Sequence, residues 1–181
     1  MLRGFNKRGI SPVVASVLLI MIAVVTATLI AVFLIPFVQN RLGEGKGCFE
    51  ILGDASFYDT PYSCYSETEE LTGFSVSINS DKINGFVLLA IKKGTSDRIS
   101  IINGSTNQKL KMLGDDNNGF GNEIVLPENG GVRTYVYNGT VDSLELYPIL
   151  DDGTQCDKND QLEPNQCTNT DIITCLNTGT C

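Results

Sequence analysis

The chain has 181 residues, a formal net charge of −8, six cysteines and no histidine or tryptophan. An acidic balance without a basic stripe gives no electrostatic footprint for nucleic acid, so DNA uptake finds no support in the charge. The missing histidine excludes Ser-His and Cys-His nucleophile pairs, and no glycine-rich phosphate loop is present. Carboxylates are plentiful, but nothing singles out two of them as a glycosidase pair. The expectation is a protein that is not an enzyme, with no catalytic residue, cofactor or resident metal.

In chain order, the basic leader MLRGFNKR comes first, and the 32 residues from Gly9 to Asn40 that follow carry no charge. That run is far longer than the roughly 7–15 apolar residues of a secretory signal, and a spanning helix needs only about 20. The 29 residues from 10 to 38 would make a helix about 44 Å long at about 1.5 Å per residue, against a hydrocarbon core of about 30 Å. Tilt can absorb some of the excess; the alternative is that lipid is not the helix's only destination. Arg3, Lys7 and Arg8 before the run keep that end cytoplasmic by the positive-inside rule, placing the acidic bulk of the chain outside.

Around the start of the helix the sequence reads KRGISPVVA and then SVLLIMIAVVTATLIAVFLI. This stretch, about residues 7 to 35, resembles the N-terminus of archaeal type IV pilins, which carry a class III signal peptide. The resemblance implies a membrane-embedded prepilin peptidase cutting between Gly9 and Ile10, and assembly with identical or related pilin subunits on a pilus assembly platform. Loss of the three leader cations from −8 would leave the mature chain at −11. Bacterial type IV pilins place a glutamate fifth in the mature chain; here that position is Val14, so the glutamate's assembly role does not carry over. Archaeal members commonly lack it.

Within the run, Ala23, Ala27 and Ala31 recur every four residues, a small-xxx-small ridge that lets helices approach closely. Ser16 is near that face, and Thr26 and Thr28 can return their hydroxyls to the helix backbone. Pro12 sits in the first turn, where a missing N–H costs little; Pro36 should kink or end the regular helix. Arg41 to Gly47 (RLGEGKG) reads as a flexible joint.

Beyond the joint the pattern is β. Phe74, Val76 and Ile78 alternate with Ser75, Ser77 and Asn79, as in a half-buried strand. Phe86–Ile91 is a continuous apolar run of the kind buried on both faces. Further segments are Arg98–Ile102, Gln108–Leu113, Glu123–Leu126, Val132–Tyr137 and Ser143–Leu150. Turn signals are placed at Asn84-Gly85, Asn103-Gly104, Asn118-Gly119, Asn129-Gly130 and Asn138-Gly139. About seven short strands at this spacing argue for an antiparallel sandwich. The fold class is therefore α+β: a long N-terminal helix, a β-sandwich head and a disulfide-stapled tail. The expected segments are 1–9 leader, 10–40 helix, 41–47 joint, 48–150 head and 151–181 tail.

Asn103-Gly104-Ser105 and Asn138-Gly139-Thr140 satisfy the N-glycosylation pattern at predicted turns. Asn-Gly is also ordinary hairpin chemistry. Cys48, Cys64, Cys156, Cys167, Cys175 and Cys181 all follow the apolar run and read as disulfides, which permit 15 pairings. The pairing favoured here joins Cys48 to Cys64 and leaves four cysteines to staple a tail too poor in apolar residues to order by burial. Their spacings of 11, 8 and 6 do not match zinc patterns. The acidic stretches with Asp115 and Asp116, and with Asp151, Asp152, Asp157, Asn159, Asp160 and Glu163, resemble Ca²⁺ loops only loosely. From Asp157, the glycine and glutamate positions hold Leu162 and Thr168, so a solvated acidic loop is the favoured reading.

Two functions remain open. One is a pilin, processed and then assembled through its helix into an extracellular filament for adhesion. The other is a membrane-anchored extracellular binding domain that never polymerises. The cysteine-rich tail also fits a minor, tip-located pilin.

Overall fold

The computed structural model describes residues 12–114 and 119–181. The cleavage residues Gly9 and Ile10, and the carboxylates Asp115 and Asp116, lie outside them. The chain divides into two units, residues 1–44 and 45–181.

The apolar run is helical: α1 (Pro12–Leu29), a π-helical segment (Ile30–Leu34) and α2 (Ile35–Glu50). Proline has no N–H to donate to the helix ladder, and the five-residue π segment ends at Leu34, two positions before Pro36. The expected stop at Pro36 is thus a local change of helix type, and α-geometry resumes. The expected flexible joint at 41–47 is instead helical. Two contacts in the second unit explain its far end: Cys48 is tied to Cys156, and a Cβ on Gly47 would stand 2.8 Å from Leu150 Cδ1. Gly47 is there for close approach.

The second unit contains β1 (Ala55–Tyr58), β2 (Cys64–Ser66), β3 (Leu71–Ile78), β4 (Ile83–Lys92), β5 (Thr95–Ile102) and β6 (Ser105–Thr106). These are followed by β7 (Leu110–Met112), β8 (Glu123–Ile124), β9 (Gly131–Asn138), β10 (Ser143–Leu150), β11 (Asp160–Leu162), β12 (Asn165–Gln166) and α3 (Thr170–Thr178). One sheet has the order β12-β2-β3-β9-β7 with β1 also on β3; the second is β11-β10-β4-β5; β6 and β8 form a small ribbon. Among the described residues, all strand pairings are antiparallel except β12 with β2.

One apolar core lies between the two large sheets. Phe74, Val76, Leu110 and Tyr135 from the first meet Phe86, Leu88, Ile101 and Leu146 from the second. The Tyr135 ring stacks on Phe74 at 5.6 Å and meets Phe86 edge-on at 5.9 Å. Its buried hydroxyl donates to Val125 O at 2.8 Å, as a buried phenol must find an acceptor.

Each of the seven predicted strand segments contains a strand. Asn84-Gly85, however, is not a turn: both residues lie inside β4. The β4–β10 register shifts there, pairing Ile149 with Gly85 and Leu150 with Ile83, so Asn84 is the extra residue of a bulge. A Cβ on Gly85 would meet Ile101 O at 2.5 Å, which explains the glycine. The tight hairpin is at Lys93-Gly94, where both residues have positive φ (44° and 82°) between Lys92 and its partner Thr95. Two such residues make the turn whose twist suits a two-residue hairpin.

The strand Leu71–Ile78, expected to be half-buried, is buried along its whole length. At its Leu71–Gly73 end the outer face is covered by Tyr62 and by Leu176 of the tail, which is part of the fold and no mere appendage. β11 extends the second sheet and β12 the first, while Leu176 of α3 packs with Cys64, Leu71 and Val136 in a second cluster. α3 is capped by the Asn169 side chain, which accepts from Asp171 N, and by Gly179 at φ 83°. The tail therefore orders by burial as well as by covalent ties.

The disulfides are Cys48–Cys156, Cys64–Cys167 and Cys175–Cys181. The expected Cys48–Cys64 pairing is wrong, and only Cys175–Cys181 lies within the tail. The physical reason is the parallel pairing of β12 with β2, which sets Asn165 beside Cys64 and leads Cys167 N to Tyr65 O at 2.8 Å.

Gly73 shows how closely the tail is seated. A Cβ there would lie 2.2 Å from Tyr62 O and 2.7 Å from Leu176 Cδ2. Gly73→Ala should cost about 1–3 kcal/mol, the usual range for overpacking. It should also raise amide exchange across residues 170–178. Gly45→Ala, with nothing within 4 Å, should be neutral or stabilising by up to about 1 kcal/mol in its helix. Denaturant midpoints of the full chain, with hydrogen exchange, check both.

Candidate functional site: an exposed apolar helix

The helix is the feature that folding leaves incomplete. Pro12–Leu34 is 23 residues long, with an 18-residue stretch of mean hydropathy 3.0, long and apolar enough to cross a membrane. At about 1.5 Å per residue it spans about 35 Å, slightly more than a hydrocarbon core. None of its residues is buried. Leu19 is 71% exposed, Met21 62% and Phe33 69%. A solvent-exposed surface of this kind marks a membrane or a protein partner.

The polar groups on the helix are satisfied internally. Ser16 Oγ donates to Val13 O at 2.9 Å, Thr26 Oγ1 to Ile22 O at 2.9 Å and Thr28 Oγ1 to Val24 O at 2.8 Å. Such back-bonding removes the cost of a free hydroxyl in an apolar medium. Ala23 and Ala27 fall in regular α-helix, but Ala31 lies in the π segment. The hydrogen bonds there run to the fifth residue instead of the fourth, so the ridge turns at Ala31. Leu29, Ile30, Phe33, Leu34 and Phe37 line an apolar hollow beside that segment.

In the β unit, three of the acidic-loop residues singled out from sequence, Asp152, Asn159 and Asp160, take structural parts. Asn159 donates to Ala55 O at 2.7 Å and accepts from Gly53 N at 3.2 Å, and Asp160 accepts from Phe57 N at 2.8 Å. These side chains fasten the tail to β1. Asp152 accepts from Thr154 N at 2.8 Å, a bond that holds its carboxyl below the usual range. Among the described residues no three carboxylate or cysteine side chains gather as a metal site. Asn103 and Asn138 are both exposed, at the ends of β5 and β9. They do not come together: Asn103 borders a cleft of about 410 Å³. The Asn138 sequon instead contributes Thr140 to another cleft, of about 580 Å³, with Lys92, Lys93, Glu70 and Glu163.

Two groups escaped the sequence reading. Lys111 is only 5% exposed, its ammonium donating to Asn177 O at 2.6 Å and lying 5.0 Å from the Phe120 ring centre. A cation on the last carbonyls of α3 complements the helix dipole, while burial pulls its pKa down. Alternation along QKLKML hinted at a strand, with Leu110 and Met112 in the core, but not that the lysine on the opposite face is buried beneath the tail helix. The second is Asp97, which joins the sheets by accepting from Lys109 Nζ at 2.6 Å and Tyr137 Oη at 2.9 Å.

For Asp97, burial pushes the carboxyl up, but the hydrogen bonds from Lys109 and Tyr137 outweigh it, leaving a lowered pKa. A depressed carboxylate contributes stability above its unfolded value, about 3.9, and loses it as pH falls through the folded value. Thermal midpoints should therefore drop more steeply below about pH 4 for the native chain than for Asp97→Asn. Burial, with the bond to Asp97 next, pushes the Tyr137 hydroxyl up to about 12, so its contribution is lost only at strongly alkaline pH.

Comparison of the chain with protein-family models, curated proteins and solved structures finds no match.

Proposed function

We infer that this chain is a type IV pilin-like subunit of an archaeal surface filament. The observation that carries the reading is the helix Pro12–Leu34, uncharged, apolar all round and buried nowhere in its own chain. Such a surface needs lipid first and protein later. The KRGISPVV leader pattern supplies the reason to choose a pilin. On this reading a prepilin peptidase cuts between Gly9 and Ile10, releasing the cationic leader. The helices of identical or related subunits then exchange lipid contacts for helix–helix contacts, with Ala23 and Ala27 allowing close approach.

The disulfide-tied β unit is then extracellular, as three bridges suit an oxidising compartment. It forms the filament's outer surface, where adhesion takes place and where Asn103 and Asn138 are available for glycosylation. The chain is a membrane protein before assembly and a filament component after it.

The test is location. Cells are sheared, and the sheared fraction and the membranes are probed with an antibody against the β unit. The subunit is expected in both, with filaments visible by electron microscopy and decorated by the antibody. Confinement to membranes at every growth stage would support an anchored, non-polymerising binding domain instead.

A further inference from the structure

The cleft beside Asn103 pairs a few buried apolar side chains with a larger polar rim. Its buried side is apolar, with Ile78, Leu126 and Pro127, and its exposed rim carries Asp81, Glu128 and Asp151. The volume of about 410 Å³ is within the range of small-ligand sites. Asn103 is itself part of the wall. Its Oδ1 accepts from Leu126 N at 3.2 Å, so its amide is oriented by the segment that follows β8 and forms the cleft floor. The hydroxyl of Ser105, third in the sequon, accepts from Ile102 N at 3.1 Å.

An N-linked sugar replaces one hydrogen on Nδ2 and leaves Oδ1 unchanged, so the Asn103–Leu126 bond survives the modification. The first sugar then starts at the cleft wall. A sugar ring offers apolar C–H faces and hydroxyl donors. The cleft offers an apolar floor and carboxylate acceptors, whose bonds are strengthened by their charge. Three carboxylates repel an anionic sugar, so the fit is to neutral residues.

We propose that this cleft seats the first, neutral sugars of a glycan linked to Asn103, holding the glycan against the β unit. The proposal rests on the extracellular reading above. Attachment forms the Nδ2–C1 bond and breaks the C1–O bond of a polyprenyl-phosphate-linked sugar donor. The Nδ2 proton passes to a base of the transferase, and the electron pair leaves with the lipid phosphate.

The full chain purified from its native cells provides the test. Trypsin releases residues 99–109, and added hexose-type mass on that peptide, absent in Ser105→Ala, is expected. Ser105→Ala keeps Asn103 and its bond to Leu126. Hydrogen exchange at residues 125–129 is then compared between the two proteins, with at least about tenfold slower exchange expected in the glycosylated one. In a third protein, Asp81→Ala with Glu128→Ala, the peptide should keep its sugar but lose that protection. An occupied Asn103 with unchanged exchange at 125–129 would overturn the seat while leaving the extracellular reading intact. A bare Asn103 in filaments would overturn the proposal without touching assembly, and a bare Asn103 in a chain confined to the cytoplasm would remove both.

Discussion

Removing Cys48 and Cys156 together, as alanines, is expected to lower the unfolding free energy by about 3–5 kcal/mol. The bridge joins residues 108 apart, and the chain-entropy cost of leaving so long a loop open is near the top of the range for disulfides. It also holds the far end of α2, where Gly47 packs on Leu150. Cys64 with Cys167, 103 apart, should cost a comparable amount and release β12 and α3 as well. Cys175 with Cys181 closes only six residues and should cost about 2 kcal/mol. Denaturant midpoints of the full chain in detergent, without reductant, rank the three. A non-reduced peptide joining Cys48 to Cys64 would contradict the architecture outright.

The second large effect concerns assembly. Ala27→Leu puts a branched side chain on the face where Ala23 and Ala27 lie one turn apart, preventing close helix approach. Filament yield is expected to fall by about tenfold or more, equivalent to about 1.4 kcal/mol or more per contact. Membrane levels of the subunit should be unchanged, because leucine is at least as apolar as alanine. Val25→Leu, two residues away and so on the other side of the helix, should assemble normally. Loss of filaments in both variants, or in neither, would remove the ridge from the mechanism.

The helix and the central strands were legible because their signals are local. A 32-residue uncharged run and the alternation of Phe74, Val76 and Ile78 need no tertiary context. What the sequence hid is long-range. Cys64 meets Cys167 because β12 runs parallel to β2, a pairing with no mark in either short segment. Burial of the Leu71–Gly73 end of β3 depends partly on Leu176 reaching back about a hundred residues to Gly73. The RLGEGKG stretch looks like a joint on composition alone, yet it is helical, and the Cys48–Cys156 bridge is fixed just beyond it. Asn84-Gly85 reads as a turn and is a bulge, because the same glycine chemistry serves both. The helix itself was legible as a site, and its partner was not, since an apolar surface shows that it must be covered and not by what.

The central claim is most directly tested by intact mass spectrometry with N-terminal sequencing of the sheared filaments, without reduction. The account predicts a species beginning at Ile10, lighter by the leader and by about six hydrogens for its three bridges, plus any glycan. A chain beginning at Met1 and recovered only from membranes would contradict it.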